Sequence, residues 1–255
     1  MLKENTLFGE RDKVKMAIER LQTFEPPEGY YLAFSGGKDS ITILELAKMA
    51  KVKFEAHYHV TTIDPPELVK FIKTQNVIWD RPARPFLQEL IRRGFPQHHR
   101  RWCCEMYKEN GGKGRIVVTG IRWAESANRK NRKMVESCNK YSGKNYVHPI
   151  IDWSDQEVWQ FIRDYNILYC KLYDEGFKRL GCLFCPMGGK HRLIECERYP
   201  KYVKAFINAF EKLYQRKKDE GKNSVARWKS GEEMFWWWIR DNKEKYNKDQ
   251  FILFE

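Results

Sequence analysis

The sequence predicts an α/β fold with a mostly parallel sheet, helices on both of its faces, and a helical region at the C-terminal end. Two patterns support this prediction. Short apolar runs alternate with amphipathic helical segments over most of the chain, which is typical of parallel sheets. From about Glu197 onward the pattern is helical, basic and rich in aromatic residues, ending in GEEMFWWWIRDNKEKYNKDQFILFE.

The individual elements follow from hydrophobic periodicity and helix-start signals. The Ser154 hydroxyl is a suitable cap for the helix that follows it, and Pro65 and Pro66 suit the first turn of a helix. We expect helices at 11–23, 39–50, from Pro65 through ELVKFIKTQ, near 85–93 and at 154–165, and strands at 30–34, 53–60, in NVIW and at 115–120.

The segment SGGKDS, residues 35–40, joins a predicted strand to a predicted helix. Two adjacent glycines permit backbone conformations that are closed to other residues, and the free N–H groups at a helix start favour anions. The segment is therefore predicted to bind phosphate. It is not the common phosphate loop G-x-x-x-x-G-K-[ST], because Asp39 follows Lys38. A tight turn with a Ser or Asp cap is the structural alternative.

Composition limits the class of protein. The chain has 255 residues, 42% of them hydrophobic, and contains no apolar run long enough to span a membrane. Its first residues, MLKENTLFGERDK, lack the apolar core of a signal peptide, so a cytoplasmic location is expected. Seven cysteines, an odd number, favour metal or redox chemistry over a disulfide framework in such a compartment.

Positive charge is concentrated in one part of the chain. The net charge is +13, and the segment from Arg92 to Lys144 contains 14 basic and 4 acidic residues. A solvated basic face that aids solubility would explain this composition. The functional interpretation is a surface for a polyanion, either nucleic acid or the phosphates of a nucleotide.

Four cysteines form two pairs, Cys103 with Cys104 and Cys182 with Cys185, the second in the C-x-x-C of GCLFCP. Four thiolates in two pairs suit an iron–sulfur cluster or a structural zinc. Adjacent cysteines are awkward ligands for one tetrahedral ion because their side chains diverge. A cluster accommodates them better, since each thiolate can bind a different iron.

Five motifs follow one another between about Tyr30 and Cys185: SGGKDS, the Cys-Cys pair, TGIRWAESANR, HPIIDWSDQEVWQFI and LYDEGFKRLGCLFC. In this order they resemble the adenylylsulfate and phosphoadenylylsulfate reductase family of the PP-loop ATP pyrophosphatase superfamily. The resemblance implies an adenine nucleotide α-hydrolase-like fold and a bound ATP or adenylylsulfate-type nucleotide, with Mg²⁺ as a further candidate. In the cluster-bearing branch it also implies a [4Fe-4S] cluster.

The resemblance carries functional residues over to matching positions. Backbone amides, Lys38 and the planar guanidinium groups of Arg122 and Arg129 suit phosphate or sulfate oxygens. Glu125 is expected either to order Arg122 or to form an ordinary surface pair. The implied catalytic residues are Lys38, Asp39, Arg122 and Arg129; the implied nucleotide-binding residues are Ser35, Gly36, Gly37, Lys38, Asp39, Ser40, Gly120 and Arg122; the implied cluster ligands are Cys103, Cys104, Cys182 and Cys185.

The expected organisation is a PP-loop nucleotide-binding domain with the iron–sulfur cysteines over 1–195, and a helical, basic, aromatic-rich region over 196–255 packed on it. His148 is expected to be structural, and Asp64 has a structural and a nucleotide-facing interpretation. Cys170 has no assigned role. Cys196 is interpreted first as a buried helix cysteine, whereas Cys138, among basic residues, is the better candidate for a reactive sulfur.

Three functions agree with these features. The first is ATP-dependent sulfur transfer or adenylylation on DNA or RNA, similar to the DNA-phosphorothioation sulfurtransferases and supplied by a sulfur-donor protein. The second is an adenylylsulfate or phosphoadenylylsulfate reductase that releases sulfite. The third is a non-catalytic nucleotide-binding or cluster-sensing module. Assimilatory reductases of this family carry a nucleophilic cysteine in a Glu-Cys-Gly-[Leu/Ile]-His motif, and no such motif follows Cys196. This difference and the concentration of basic residues between Arg92 and Lys144 favour the first function.

Overall fold

The computed structural model describes residues 2–6, 9–137, 143–189, 191–221 and 223–240. The strands are β1 (Lys3–Thr6), β2 (Gly9–Asp12), β3 (Tyr30–Phe34), β4 (Phe54–His59), β5 (Ile78–Asp80), β6 (Ile116–Val118), β7 (Val135–Ser137) and β8 (Asn145–Val147). The helices are α1 (Lys13–Thr23), α2 (Lys38–Ala50), α3 (Pro66–Ile72), α4 (Phe86–Arg93), α5 (Trp102–Tyr107), α6 (Asp155–Asp164), α7 (His191–Arg198), α8 (Pro200–Asp219) and α9 (Gly231–Ile239).

Six strands form one sheet in the order β5-β4-β3-β6-β8-β7. All neighbouring pairs are parallel except β7 with β8, and β1 and β2 form a separate antiparallel pair. The prediction of a mostly parallel α/β fold is confirmed. The strands β1, β2, β7 and β8 were not predicted, because their sequences KENT, GERD, VES and NYV contain no run of three apolar residues.

Strand order reverses at β3. The chain proceeds from β3 through β4 to β5 on one side and then continues with β6 on the other side of β3. Connections that leave in opposite directions open a crevice beyond the carboxyl ends of the central strands, which is where open α/β sheets bind ligands. The loop of residues 35–40 begins at that end of β3.

Local sequence explains the elements that border this crevice. The apolar run of β3 is buried on both faces, as a central parallel strand requires. Helix α2 starts at Lys38, and its N-cap Gly37 has no side chain with which to cap it. Helix α6 begins with a capping box, in which the Ser154 hydroxyl accepts from the Glu157 amide at 3.2 Å and the Glu157 carboxylate accepts from the Ser154 amide at 2.6 Å.

The chain separates into two compact units. The first, the sheet unit, comprises Met1–Val60, Asp64–Pro82 and Tyr107–Gly181; the second, the helical unit, comprises Thr61–Ile63, Ala83–Met106 and Cys182–Glu255. The core of the sheet unit includes fully buried residues such as Leu32, Ile43 and Phe161. Among the described residues, no helix is both long and apolar enough to cross a membrane.

The helical unit has an aromatic core. Phe206 stacks on Trp238 with ring centroids 6.0 Å apart, and the Trp238 indole N–H donates to the Pro96 carbonyl at 2.7 Å. Trp238 is therefore a core residue, as expected for this tryptophan run.

The observed division differs from the expected boundary between 195 and 196. The helical unit takes three segments that the expectation placed with the sheet, 61–63, 83–106 and 182–195. In the two longer ones, aromatic residues such as Phe86 and Phe184 pack on Phe206. Sequence periodicity cannot show such a contact between distant segments. As a result, all four paired cysteines belong to the helical unit.

Candidate functional site

The loop after β3 is folded around the Ser40 hydroxyl. This hydroxyl donates to the Gly37 carbonyl at 2.8 Å, accepts from the Ser35 amide at 3.2 Å, and lies 3.2 Å from the Ser35 hydroxyl. Three of the predicted binding residues thus hold the shape of the loop with their own hydrogen bonds. The two serines of SGGKDS have a structural role whether or not a phosphate is bound.

The two adjacent glycines have different roles. Gly36 has φ +73°, and a Cβ there would lie 2.7 Å from Leu68 Cδ1 and 2.8 Å from Ile72 Cγ1 of α3. Only glycine suits this position. Gly37 has φ −80°, and a Cβ there would be no closer than 3.5 Å to its neighbours. The protein itself therefore leaves room for a side chain at Gly37.

Tyr173 covers part of the start of α2. Its hydroxyl accepts a hydrogen bond from the Lys38 amide at 2.8 Å. Burial raises the pKa of Tyr173, so this group is a neutral hydroxyl at physiological pH. Tyr173 lies in LYDEGF, 135 positions after Lys38. No pattern in the sequence predicts that it contacts the start of α2.

Arg122 is the centre of a charged network next to this loop. Only 2% of Arg122 is exposed. Its guanidinium donates to Asp39 at 2.7 Å, to Asp155 at 3.0 Å and to the Trp153 carbonyl at 3.2 Å. Lys38 Nζ lies 3.1 Å from the same Asp155 oxygen and 3.5 Å from Asp39 Oδ2. Two cations and two carboxylates are thereby brought together from β3–α2, the segment after β6, and α6.

The two carboxylates of the network differ in environment. Burial raises the pKa of Asp39, against the opposing effect of Lys38 and Arg122. Partial burial also favours a higher pKa for Asp155. The charge of Lys38 and the hydrogen bonds from Lys38 and Arg122 outweigh this effect, so the pKa of Asp155 is lowered. Asp155 is therefore the carboxylate that remains charged over the wider pH range.

Gly120 is required by close packing. A Cβ at this position would lie 2.8 Å from the Asp39 carbonyl oxygen and 2.9 Å from Asp39 Cβ. The segment after β6 consequently runs directly against the first turn of α2. This contact allows Arg122, two residues later, to reach Asp39.

Glu125 and Arg129 form an ion pair with each other. The Glu125 carboxylate also accepts from the Arg122 backbone amide at 2.9 Å and does not order the Arg122 guanidinium. Arg129 is 37% exposed at its side chain. The structure thus brings residues 35–40, Gly120 and Arg122 together directly, and connects Arg129 to them through Glu125.

The four predicted cluster ligands lie within the helical unit. The hydrogen bond with Cys104 and then burial raise the pKa of Cys103, and the nearby thiols of Cys182 and Cys185 raise it further. Both cysteine pairs are therefore close enough to interact electrostatically. Even so, the described part of the chain contains no group of three or more His, Cys, Asp or Glu side chains arranged around one metal ion.

The chemistry of the four thiols suits a four-iron cluster, in which each cysteine binds a different iron, and it also suits a zinc ion, which takes four sulfur ligands at one tetrahedral centre.

Glu195 holds the loop between Cys182 and Cys185, and the sequence had not singled it out. Phe184 has φ +58°, uncommon for a residue with a side chain. Its amide donates to the Glu195 carboxylate at 2.6 Å. Burial raises the pKa of Glu195 to about 7. The spacing of residues in the sequence cannot predict a hydrogen bond from a loop amide to a carboxylate on a helix.

The remaining candidates have structural contacts. His148 is fully buried, with its Nδ1 2.7 Å from the Thr119 hydroxyl, which confirms the structural expectation. Asp64 accepts from the Tyr58 hydroxyl at 2.5 Å. Cys196 is a buried cysteine of α7, and burial raises its pKa to about 12, so it is not an activated nucleophile. Cys170 is buried too, whereas Cys138 lies outside the described residues.

The basic segment from Arg92 to Lys144 is divided between the two units. Its first part belongs to the helical unit and its second part, from Tyr107, to the sheet unit. Several of its charges are compensated within the chain, including Arg132 by Glu136 and Arg115 by Glu55. The exposed basic residues of this segment include Arg100 and Arg101 in the helical unit and Lys130 and Lys133 in the sheet unit.

The phosphoadenosine phosphosulfate reductase domain model matches residues 29–187, more than half of the chain and every segment of the candidate site. The chain belongs to this family. The family resemblance drawn from the five motifs is confirmed, and members of the phosphoadenosine phosphosulfate reductase family are enzymes.

Individual relatives agree with this assignment. An uncharacterized protein of Methanocaldococcus jannaschii is 28% identical over 77% of this chain and 51% of its own length. An adenosine 5′-phosphosulfate reductase of Bacillus cereus is 25% identical over 72% of this chain and 85% of its own. The chain spans about half the length of the M. jannaschii relatives that it matches.

A solved structure supports the fold. The phosphoadenylyl-sulfate reductase of Candida auris, in its phosphate complex, superposes with a TM-score of 0.52 at 17% identity, covering 65% of this chain and 87% of that one. At this identity the likeness concerns the fold alone.

The two glycines of the loop give a matched pair of variants. Gly36→Ala is expected to lower the free energy of unfolding by at least about 1 kcal/mol, because an L side chain is strained at φ +73° and meets α3. Gly37→Ala should be near neutral, since its φ and surroundings are ordinary. Denaturant unfolding of both variants measures the difference, and equal stabilities would contradict the assigned roles.

Proposed function

We propose that the chain is an adenine-nucleotide enzyme that holds the phosphates of its nucleotide against the loop of residues 35–40. The observation that carries this proposal is the open face of Gly37 at the start of α2, at the point where the strand order reverses. Helix-start amides and Lys38 supply positive potential there. Family membership supports the same ligand class.

The charged network prepares this site for an anion. Arg122 holds Asp39 and Asp155 in place through hydrogen bonds that are formed without ligand. Lys38 shares Asp155 with Arg122, so its ammonium is positioned at the end of the loop. When the nucleotide binds, phosphate oxygens compete with Asp155, which is 63% exposed at its side chain, for these two cations. Preorganised cations of this kind stabilise charge that develops on a transferring group.

Mg²⁺ would arrive with the nucleotide. The two carboxylates of the network are oxygen ligands of the type that Mg²⁺ takes, but the described residues contain no group of three acidic or histidine side chains arranged to hold a metal ion. A magnesium ion here would therefore draw most of its ligands from phosphate and water, as is usual for nucleotide sites.

A [4Fe-4S] cluster held by Cys103, Cys104, Cys182 and Cys185 is the second part of the proposal. Its support is the proximity of the two thiol pairs and the orientation of the C-x-x-C loop by Glu195. When bound, such a cluster supplies one-electron redox capacity.

The reaction we propose is ATP-dependent sulfur transfer to a nucleic-acid acceptor. An acceptor oxygen attacks the α-phosphorus, forming an adenylylated acceptor and breaking the bond to pyrophosphate. The persulfide of a donor protein then attacks the acceptor and displaces AMP, which leaves the acceptor joined to the donor cysteine through an S–S bond. A thiol reduces this bond, so that one sulfur remains on the acceptor and the thiol forms a disulfide with the donor cysteine. Exposed basic residues on both units, Arg100 and Arg101 on one and Lys130 and Lys133 on the other, support a polyanionic substrate.

A reductase is the second candidate. It would bind adenylylsulfate or phosphoadenylylsulfate at the same loop and release sulfite with electrons from a thiol. The specific observation in its favour is the set of relatives named adenosine 5′-phosphosulfate reductase, which align over about seven tenths of this chain. A non-catalytic nucleotide-binding module would retain the loop but would not need the Lys38 and Arg122 network.

Gly37→Ala tests the phosphate site. The protein has room for this methyl group, so the melting temperature should stay within a few degrees of the original. Nucleotide affinity should fall at least tenfold, because the methyl group separates phosphate from the loop amides. Calorimetric titration with ATP and with adenylylsulfate measures this, and unchanged affinity for both would show that the loop is only a turn.

Metal analysis tests the cluster. Anaerobically purified protein should be brown and contain about four irons and four sulfides per chain. Cys182→Ser should lose the cluster. Cys196→Ser is the matched control, since Cys196 is buried in α7 and outside the proposed ligand set, and it should retain iron. Stoichiometric zinc without sulfide, or full iron content in Cys182→Ser, would contradict the assignment.

Product analysis separates the two reactions. With ATP, a persulfide-bearing sulfur donor and nucleic acid, the anaerobic protein should release pyrophosphate and AMP in equal amounts, and Lys38→Met should not. With adenylylsulfate and a thiol reductant it should release no sulfite. Sulfite from the second mixture, with no pyrophosphate from the first, would make the reductase the correct function.

A further inference from the structure

The helical unit contains an open pocket of about 220 Å³ that lies outside the PP-loop site. Among the described residues that line it none is acidic, although one of its arginines, Arg93, pairs with Glu89. Its lining includes four basic residues, Arg93, Arg100, Lys217 and Arg227, and two tryptophans, Trp102 and Trp228. Such a lining is chemically suited to an anion that also has an aromatic or flat part.

The Arg227 guanidinium lies against two tryptophan rings. Its guanidinium carbon lies 4.0 Å from the ring centroid of Trp228 and 4.1 Å from that of Trp237. The two rings are inclined at 70° to each other, so the guanidinium lies in an aromatic corner that limits its movement. A planar fork restricted in this way binds phosphate oxygens with little further loss of side-chain entropy.

Trp228 supplies an independent indication of a ligand. The residue is 6% exposed, and its indole N–H is buried without an acceptor among the described residues. A buried donor of this kind is uncommon and costs free energy, because tryptophan N–H groups normally find a partner when buried. An acceptor atom brought by a ligand to this wall of the pocket would remove that cost.

We propose that this pocket binds one nucleotide unit of a single-stranded nucleic acid, with a backbone phosphate on Arg100 and Arg227. The pocket is smaller than the roughly 300–1,000 Å³ of sites that enclose a whole small ligand. It therefore suits a segment whose neighbours continue outside. The proposal rests on the nucleic-acid acceptor of the proposed function and assigns it a surface, distinct from the loop that binds the adenine nucleotide.

The test is fluorescence anisotropy of the full chain with labelled single-stranded DNA and RNA oligonucleotides over a series of salt concentrations. Arg227→Glu and Arg100→Glu should each weaken binding at least tenfold and reduce the salt dependence, because fewer counterions are released. Arg227→Lys should fall between, since it keeps the charge but loses the stacked fork. Lys15→Glu on α1, 75% exposed in the sheet unit, is the control and should have little effect.

Arg100→Glu is expected to fold normally, because the side chain is exposed and the Gln97–Arg100 pairing uses backbone atoms only. A loss of binding in this variant therefore reports on the charge and not on the fold. ATP affinity and iron content should be unchanged in the pocket variants, which separates failure here from failure of the proposed function. Oligonucleotide binding that is indifferent to both charge reversals would overturn the proposal. So would displacement of the oligonucleotide by AMP or inorganic pyrophosphate at equal concentration, which would make the pocket a site for free phosphates.

Discussion

The buried guanidinium of Arg122 is the constraint on which the nucleotide site depends. A charge with 2% exposure must be compensated, and the compensation comes from Asp39 at the start of α2 and Asp155 at the start of α6. Both helix starts are therefore tied to the segment after β6. Removing Asp39, the less exposed of the two partners, would leave the buried guanidinium with the largely exposed Asp155 as its remaining carboxylate and would therefore destabilise the fold.

Glycine positions make this arrangement possible. Gly120 lets the segment after β6 run against the first turn of α2, and Gly36 lets the loop pass beneath α3. Neither position tolerates a methyl group without displacing its neighbours. Gly37 differs, because its space faces no protein atom closer than 3.5 Å. Two glycines thus serve the packing of the fold, whereas Gly37 leaves room for the ligand that we propose.

The sequence predicted the parts of this fold that depend on local pattern. β3, α2 and α6 lie within a residue or two of their expected bounds, because apolar periodicity and the Ser154 cap define them locally. It could not predict that Tyr173 accepts from Lys38 or that Glu195 accepts from Phe184, because such contacts depend on tertiary packing. The same limit explains the unexpected division into units, in which the residues around α4 share an aromatic core with α8.

The distribution of positive charge shows most clearly why composition alone does not predict a binding surface. The basic surplus between Arg92 and Lys144 suggested one polyanion surface, yet the segment is divided between the two units and part of it is paired internally. Lys144, for example, donates to the Glu109 and Gly111 carbonyls at 2.9 and 2.6 Å, so its charge holds a turn together. Basic side chains also come together around the pocket of the helical unit, where Arg93 and Arg100 lie with Lys217 and Arg227 from the far end of the chain. Sequence distance hides that cluster, because its members are separated by more than a hundred residues and become neighbours only through the packing of the helical unit.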